Sequence, residues 1–233
     1  MASVSGCELR YRIFRPAVHS SAPAVIIAHG ILRSGENMHG WGEAFAERGL
    51  VAVTVDLCAI SVAGGRHADD GHDMVAVRRA LGIEYVIYLG VSAGGLGALT
   101  AAAHDRDATR GLLLLDPVNA GGQARKAAGQ VAAPVAALIA KPQACNAWRN
   151  IDRALETLRD ATIVPIDEAS HCDFEWPSDA FCRVACVATG GRDKRHRAEA
   201  RVRAVALRFV LAVAAGDAAA LARWKADVGP LLQ

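Results

Sequence analysis

Residues 86 to 103, VIYLGVSAGGLGALTAAA, decide the fold. The apolar run Val86 to Leu89 reads as a buried strand, and the small residues Gly95 to Ala103 read as a closely packed helix. Between them stands Gly90-Val91-Ser92-Ala93-Gly94. A strand that turns at once into a helix forces its corner residue into a strained backbone conformation, and only very small residues two positions to either side let the chain pass itself. Ser92 is that corner. The turn lifts its hydroxyl out of the sheet edge. It also aims the backbone N–H of Ala93, at the start of the helix, toward the place where a carbonyl oxygen would become an oxyanion. A tight turn with an incidental serine fits the five residues alone; the strand before and the helix after favour the elbow.

Outward from the elbow, apolar runs alternate with helical stretches. Ala24 to Ala28, ending at His29-Gly30, and the β-branched Val51 to Val55, ending at Asp56, are expected to be buried parallel strands. Glu36 to Arg48 is acidic early, has Arg48 late and Gly49 as a stop, and is expected to be the helix joining them. Leu112 to Leu115, Val135 to Ala140 and Thr162 to Ile166 continue the strands, the last at an edge because it contains Pro165. Further helices are expected over Asp73 to Leu81, Gly94 to Ala103, Ala120 to Gln130, Asn150 to Leu158, Ser178 to Val187 and Arg197 to Ala214. Cys7 to Phe14 adds an antiparallel edge. Such alternation implies right-handed crossovers and an α/β fold, a mostly parallel central sheet with helices on both faces, here without a large lid. At 233 residues, one domain spanning 1–233 is expected.

With 26 basic against 24 acidic residues, a formal net charge of +2, nothing calls for nucleic acid as a partner. Arg192 to Arg203 is locally basic, but glutamate and alanine interrupt it, as in a solvated helix face. No apolar run approaches the ~20 residues that span a bilayer, and the amino terminus lacks a basic segment followed by a hydrophobic core and cleavage site. A soluble protein is expected, of secreted origin if a leader has been removed; compartment and oligomeric state stay open. The six cysteines (Cys7, Cys58, Cys145, Cys172, Cys182, Cys186) are too few to define a disulfide scaffold at this length, though one or two bridges would imply export. His171, Cys172, Cys182 and Cys186 lack the two-residue separations of a structural zinc site, and no metal is expected.

In an open parallel sheet, functional groups gather beyond the carboxyl ends of the strands. His29-Gly30-Ile31, Ser92, Asp116 and His171 all follow strands. Acyl transfer needs a nucleophile, a base to take its proton, an acid to orient the base and two N–H donors for the oxyanion. Ser92, Asp116 and His171 supply the first three in the chain order expected of this architecture. Asp167 and Asp173 compete with Asp116, but their closeness to His171 in sequence suits them to capping its loop, whereas a carboxylate ending a buried strand needs a partner. The backbone N–H groups of Ile31 and Ala93 are the expected oxyanion donors, and His29 is expected to be structural. His67, Asp69, Asp70, His72 and Asp73 alternate like a two-metal site; preceding Met74 to Leu81, they read instead as a helix start whose aspartates cap it and complement its dipole. Trp41, Phe174 and Trp176 are candidates to line an apolar acyl or alcohol pocket, with core packing as the alternative.

Taken together over the whole chain, these motifs resemble the α/β-hydrolase fold, and within it the compact, lid-poor esterases that include chlorophyllases and bacterial polyester hydrolases. The resemblance is carried by His29-Gly30-Ile31, Gly90-Val91-Ser92-Ala93-Gly94-Gly95, Asp116-Pro117-Val118 and Ser170-His171-Cys172-Asp173-Phe174. Most α/β-hydrolases place the triad acid after the strand matching Val135 to Ala140, where this chain has Lys141-Pro142-Gln143. Chlorophyllase-like enzymes carry it in an Asp-Pro-Val segment after the preceding strand, which matches Asp116. Asn119 stands where chlorophyllases usually have a second aspartate, which weakens chlorophyll as the substrate and leaves the triad untouched. The resemblance implies a carboxylic ester hydrolase acting on a small-molecule ester without a cofactor. A thioesterase or dienelactone-type hydrolase using the same triad, and a non-catalytic binding module of the same fold, are the alternatives.

Overall fold

The computed structural model describes residues 1–3, 6–18, 21–58, 67–186 and 191–231. Seven strands, β1 (Arg10–Phe14), β2 (Ala24–Ala28), β3 (Ala52–Asp56), β4 (Val86–Val91), β5 (Thr109–Leu115), β6 (Val135–Ile139) and β7 (Ala161–Pro165), form one sheet in the order β1-β3-β2-β4-β5-β6-β7. β1 pairs antiparallel with β3 and the remaining neighbours are parallel. Every strand read from the sequence is present, and Pro165 lies on an edge strand as its missing N–H requires. β5 starts earlier than its leucine run suggests. Gly111 interrupts the apolar pattern there because a side chain would meet Val213 Cγ1 at 2.8 Å, so the glycine permits a close approach from the helix behind it.

Among the described residues, eight α-helices cover the sheet: α1 (His39–Ala46), α2 (His67–Ala80), α3 (Ala93–His104), α4 (Ala124–Ala128), α5 (Asp152–Leu155), α6 (Ala180–Ala185), α7 (Arg192–Ala214) and α8 (Ala218–Val228). Strand side chains alternate between two cores. Ile26, Ala28, Val86 and Tyr88 pack with Met74 of α2 and Leu96 and Leu99 of α3. Val25, Ile27, Ile87 and Leu89 point the other way, toward Trp41 and Phe45 of α1, Val202 and Phe209 of α7 and Trp224 of α8. Both faces are dry, so these strands read as continuous apolar runs. Each large side chain so buried contributes about 1.5–3 kcal/mol.

Several helix bounds differ from the sequence reading. Glu36 to Arg48 divides into a 3-10 turn, Gly35–Met38, and α1, with Gly49 at φ +86° as the stop. α2 begins at His67, so the His/Asp cluster lies inside the helix: Asp69 and Asp70 occupy its first turn, and His67, Asp70 and Asp73 are buried. Ala120 to Gln130 and Asn150 to Leu158 shorten to α4 and α5, and residue 187, the expected end of the helix at Ser178, lies outside the described residues. The sequence reading did not include α8. Asp217 caps it by accepting the Ala219 N–H at 2.8 Å, and Trp224 Nε1 donates to Val205 O at 3.1 Å, which docks it on α7.

Cys7–Cys58, Cys145–Cys186 and Cys172–Cys182 are disulfides, a pairing the sequence left open, and no free cysteine remains as a zinc ligand. Among the described residues no helix is long and apolar enough to cross a membrane.

Candidate active site

Ser92 joins the end of β4 to the first residue of α3 with φ 55° and ψ −124°, a conformation that side chains rarely adopt. Three backbone hydrogen bonds hold it there: Ser92 N–H donates to Leu115 O at 3.0 Å, and Ser92 O accepts from Gly95 and Val118 N–H, both at 2.9 Å. The flanking glycines are sterically required. A Cβ on Gly90 would collide with the Gly94 carbonyl, and one on Gly94 with the His29 carbonyl. Gly30 passes so near that a Cβ there would lie 3.0 Å from Ser92 Cβ, which brings the Gly30-Ile31 turn alongside the serine.

Asp116 follows β5 with φ 42° and is 1% exposed; His171 opens a 3-10 turn, His171–Phe174, beyond β7. His171 Nδ1 lies 2.6 Å from Asp116 Oδ2. A carboxylate only accepts, so Nδ1 carries the hydrogen and a neutral ring keeps Nε2 as its basic nitrogen. Asp116 Oδ1 accepts the Ala140 N–H at 2.9 Å, from the end of β6 where the sequence has no carboxylate. Asn146, which the sequence reading missed, completes this cradle: its Nδ2 sits 3.3 Å from both Asp116 oxygens and donates to Lys141 O at 2.9 Å. The competing acids go elsewhere. Asp173 Oδ2 accepts the Ser170 N–H at 2.7 Å and its hydroxyl at 3.0 Å, capping the histidine turn, and burial raises its carboxyl pKa. Asp167 faces Lys141 at 3.4 Å on the surface.

His29 holds the neighbouring turn in shape. Its Nε2 accepts the Leu57 N–H at 2.9 Å, leaving Nδ1 to donate to Gly30 O at 2.7 Å, and burial pushes its pKa down, so the ring is neutral. Ile31, the next residue, lines the same cleft as Ser92 and His171, and Ala93 presents the first N–H of α3 beside the serine.

The cleft has a volume of about 140 Å³. Its apolar wall is Ile31, Leu32 and Phe181; Leu32 and Phe181 are 55% and 56% exposed. α6, which carries Phe181, is tied by Cys172–Cys182 to the His171 turn and at its far end by Cys145–Cys186 to the Asn146 segment. On another wall the Arg33 guanidinium grips Glu175 at 2.8 and 2.7 Å and reaches Asp179 at 2.9 Å. The three aromatic candidates for the pocket, Trp41, Phe174 and Trp176, are not among its lining residues, and core packing, the alternative reading, describes them. Trp41 and Phe174 are wholly buried in the core behind the histidine turn, where Trp41 Nε1 donates to Phe174 O at 3.0 Å, and Trp176 packs edge-on against Trp41 at 5.5 Å and under Arg203 at 4.1 Å. Large rings gain more from that double-sided burial than from an open rim. A roomier hollow of about 680 Å³ lies at the opposite end of the strands, near Ala24, Val51 and Glu84, and no histidine is among its described lining residues.

A family model described as the alpha/beta hydrolase fold matches residues 23–136. No curated protein matches the chain. Among solved structures, the chain is similar to a ferulic acid esterase from Streptomyces cinnamoneus (20% identity, 83% of this chain and 67% of that one, TM-score 0.65). It is also similar to an enol-lactonase from Burkholderia xenovorans (14% identity, 76% and 94%, TM-score 0.61). A monoacylglycerol lipase from Paleococcus ferrophilus is a third (15% identity, 84% and 99%, TM-score 0.60). Sheet order, serine turn, family model and shared architecture agree that the chain has the α/β-hydrolase fold.

Proposed function

We propose that the protein is a single-domain serine hydrolase that cleaves carboxylic esters through an acyl-enzyme on Ser92, without a cofactor. The observation that carries the reading is the buried 2.6 Å contact between His171 Nδ1 and Asp116 Oδ2, with His171 and Ser92 lining one cleft. Ser92 Oγ attacks the ester carbonyl while its proton passes to His171 Nε2, and Asp116 stabilises the imidazolium that results. The oxyanion meets the N–H groups of Ile31 and Ala93, each such donor being worth about 10²–10³ in rate. Collapse expels the alcohol, which leaves with the proton from His171. Water then loses a proton to Nε2 as it attacks the acyl group, and Ser92 departs reprotonated. A ferulic acid esterase and a monoacylglycerol lipase among the similar folds support this reading.

The experiment is labelling with a fluorophosphonate probe. Modification is expected at Ser92 and absent in Ser92→Ala, together with loss of turnover of short and medium acyl esters. A chain that resists the probe is a binding module instead, and a panel of acyl donors separates ester from thioester preference.

A further inference from the structure

We propose that the cleft selects uncharged, apolar esters and discriminates against substrates carrying a carboxylate near the scissile bond, through the Arg33–Glu175–Asp179 network. The inference rests on Ser92 being the nucleophile. Among the described residues lining the cleft, Arg33 is the only permanently charged cation. It is not available to a substrate anion. Its side chain is 8% exposed; Nε and Nη2 donate to the two oxygens of Glu175, and Nη2 also meets Asp179 Oδ2 at 2.9 Å. Both Glu175 oxygens accept, as the ionised carboxylate does, so two negative groups face one positive one. The network therefore carries one more negative than positive group, the excess lying at half-exposed Asp179, just behind the lining residues Arg33 and Glu175. Pulling Arg33 away to receive a substrate carboxylate would strand the buried Glu175 without its partner, which is strongly unfavourable. Beside this network, the Phe181 ring lies 5.7 Å from the Arg33 guanidinium, and Phe181 and Leu32 present exposed apolar faces suited to an uncharged acyl or alcohol group.

The test compares kcat/KM for 4-nitrophenyl butyrate, 3-carboxy-4-nitrophenyl butyrate and the methyl ester of the latter, each normalised to its rate with hydroxide. The carboxylate substrate is expected to be at least about tenfold poorer than its methyl ester, equivalent to ~1.4 kcal/mol. The gap should narrow at high salt, because Asp179 is half exposed and its field is screened. Asp179→Asn keeps an N-cap for α6 while removing the excess charge, and should narrow the gap at least about twofold. A carboxylate substrate within twofold of its methyl ester overturns the proposal, as does a methyl ester equally slow relative to 4-nitrophenyl butyrate, which would make the discrimination steric. A gap unchanged in Asp179→Asn overturns its assignment to this network. Failure to hydrolyse any of the three esters overturns both this inference and the Ser92 reading, whereas turnover without charge preference overturns this inference alone.

Discussion

Asn146 places its side-chain nitrogen 3.3 Å from each carboxylate oxygen of Asp116, and it is wholly buried. Its own oxygen accepts the Gln143 and Arg149 N–H groups, so the side chain links a loop to the acid. Asn146→Ala removes this donor and leaves Asp116 held by the Ala140 N–H and His171. Loss of a buried partner costs about 1–3 kcal/mol, and if that loss is felt in the transition state kcat falls roughly 10–100-fold with little change in KM. Steady-state kinetics on a short acyl ester measure the split.

Asp116 and Asp173 both lie within reach of the histidine turn, but only Asp116 meets the ring among the contacts seen. Asp116→Asn is expected to lower kcat by ~10³–10⁴, because an amide stabilises the wrong tautomer and not the imidazolium. Asp173→Asn keeps a side-chain oxygen to accept the Ser170 N–H and should leave kcat within about tenfold. If Asp173→Asn alone produces the large kinetic loss, the acid is misassigned.

Two disulfides fasten α6 to the turns that hold His171 and Asn146. Removing Cys172–Cys182 with a Cys172→Ala/Cys182→Ala pair should cost about 3 kcal/mol, a drop in Tm on the order of 6–12 °C at this size. kcat should fall as well, since Cys172 follows His171 directly in the chain. Thermal unfolding and kinetics of the same sample, with and without a dithiol reductant on the wild type, report both effects.

Burial holds His29 below its ordinary pKa of 6.5. The unfolded chain therefore takes up this proton first as the pH drops below about 6.5, so the native state loses stability from there down through its own lowered value. One such site contributes a slope of at most ~1.4 kcal/mol per pH unit. Denaturant midpoints from pH 7.5 to 5.5 should fall more steeply for the wild type than for His29→Gln; parallel curves would rule out the buried neutral ring.

The strands were legible because both faces of the sheet are dry, which turns each strand into an apolar run bounded by loop residues. The elbow was legible for a steric reason, since Gly90 and Gly94 abut carbonyl groups that exclude any side chain. Local pattern carried less at the cleft. An aromatic near the histidine reads the same whether it faces a substrate or the core, so the sequence leaves Trp41, Phe174 and Trp176 open between the two, and Leu32 and Phe181 carry no local signal at all. Asn146 lies in a loop whose next residues, Ala147, Trp148 and Arg149, all have positive φ, a backbone path that no periodicity announces. Cysteine pairing is combinatorial, six cysteines allowing 15 connectivities, and only the fold selects among them.

The central claim is that the ester's acyl group passes through Ser92. Rapid acid quench of a reaction with 4-nitrophenyl butyrate, followed by mass spectrometry of the peptides, tests it directly. The account predicts a butyryl adduct on the peptide containing Ser92, formed in the initial burst and missing in Ser92→Ala. Undiminished turnover by Ser92→Ala, or an adduct confined to another residue, would contradict it.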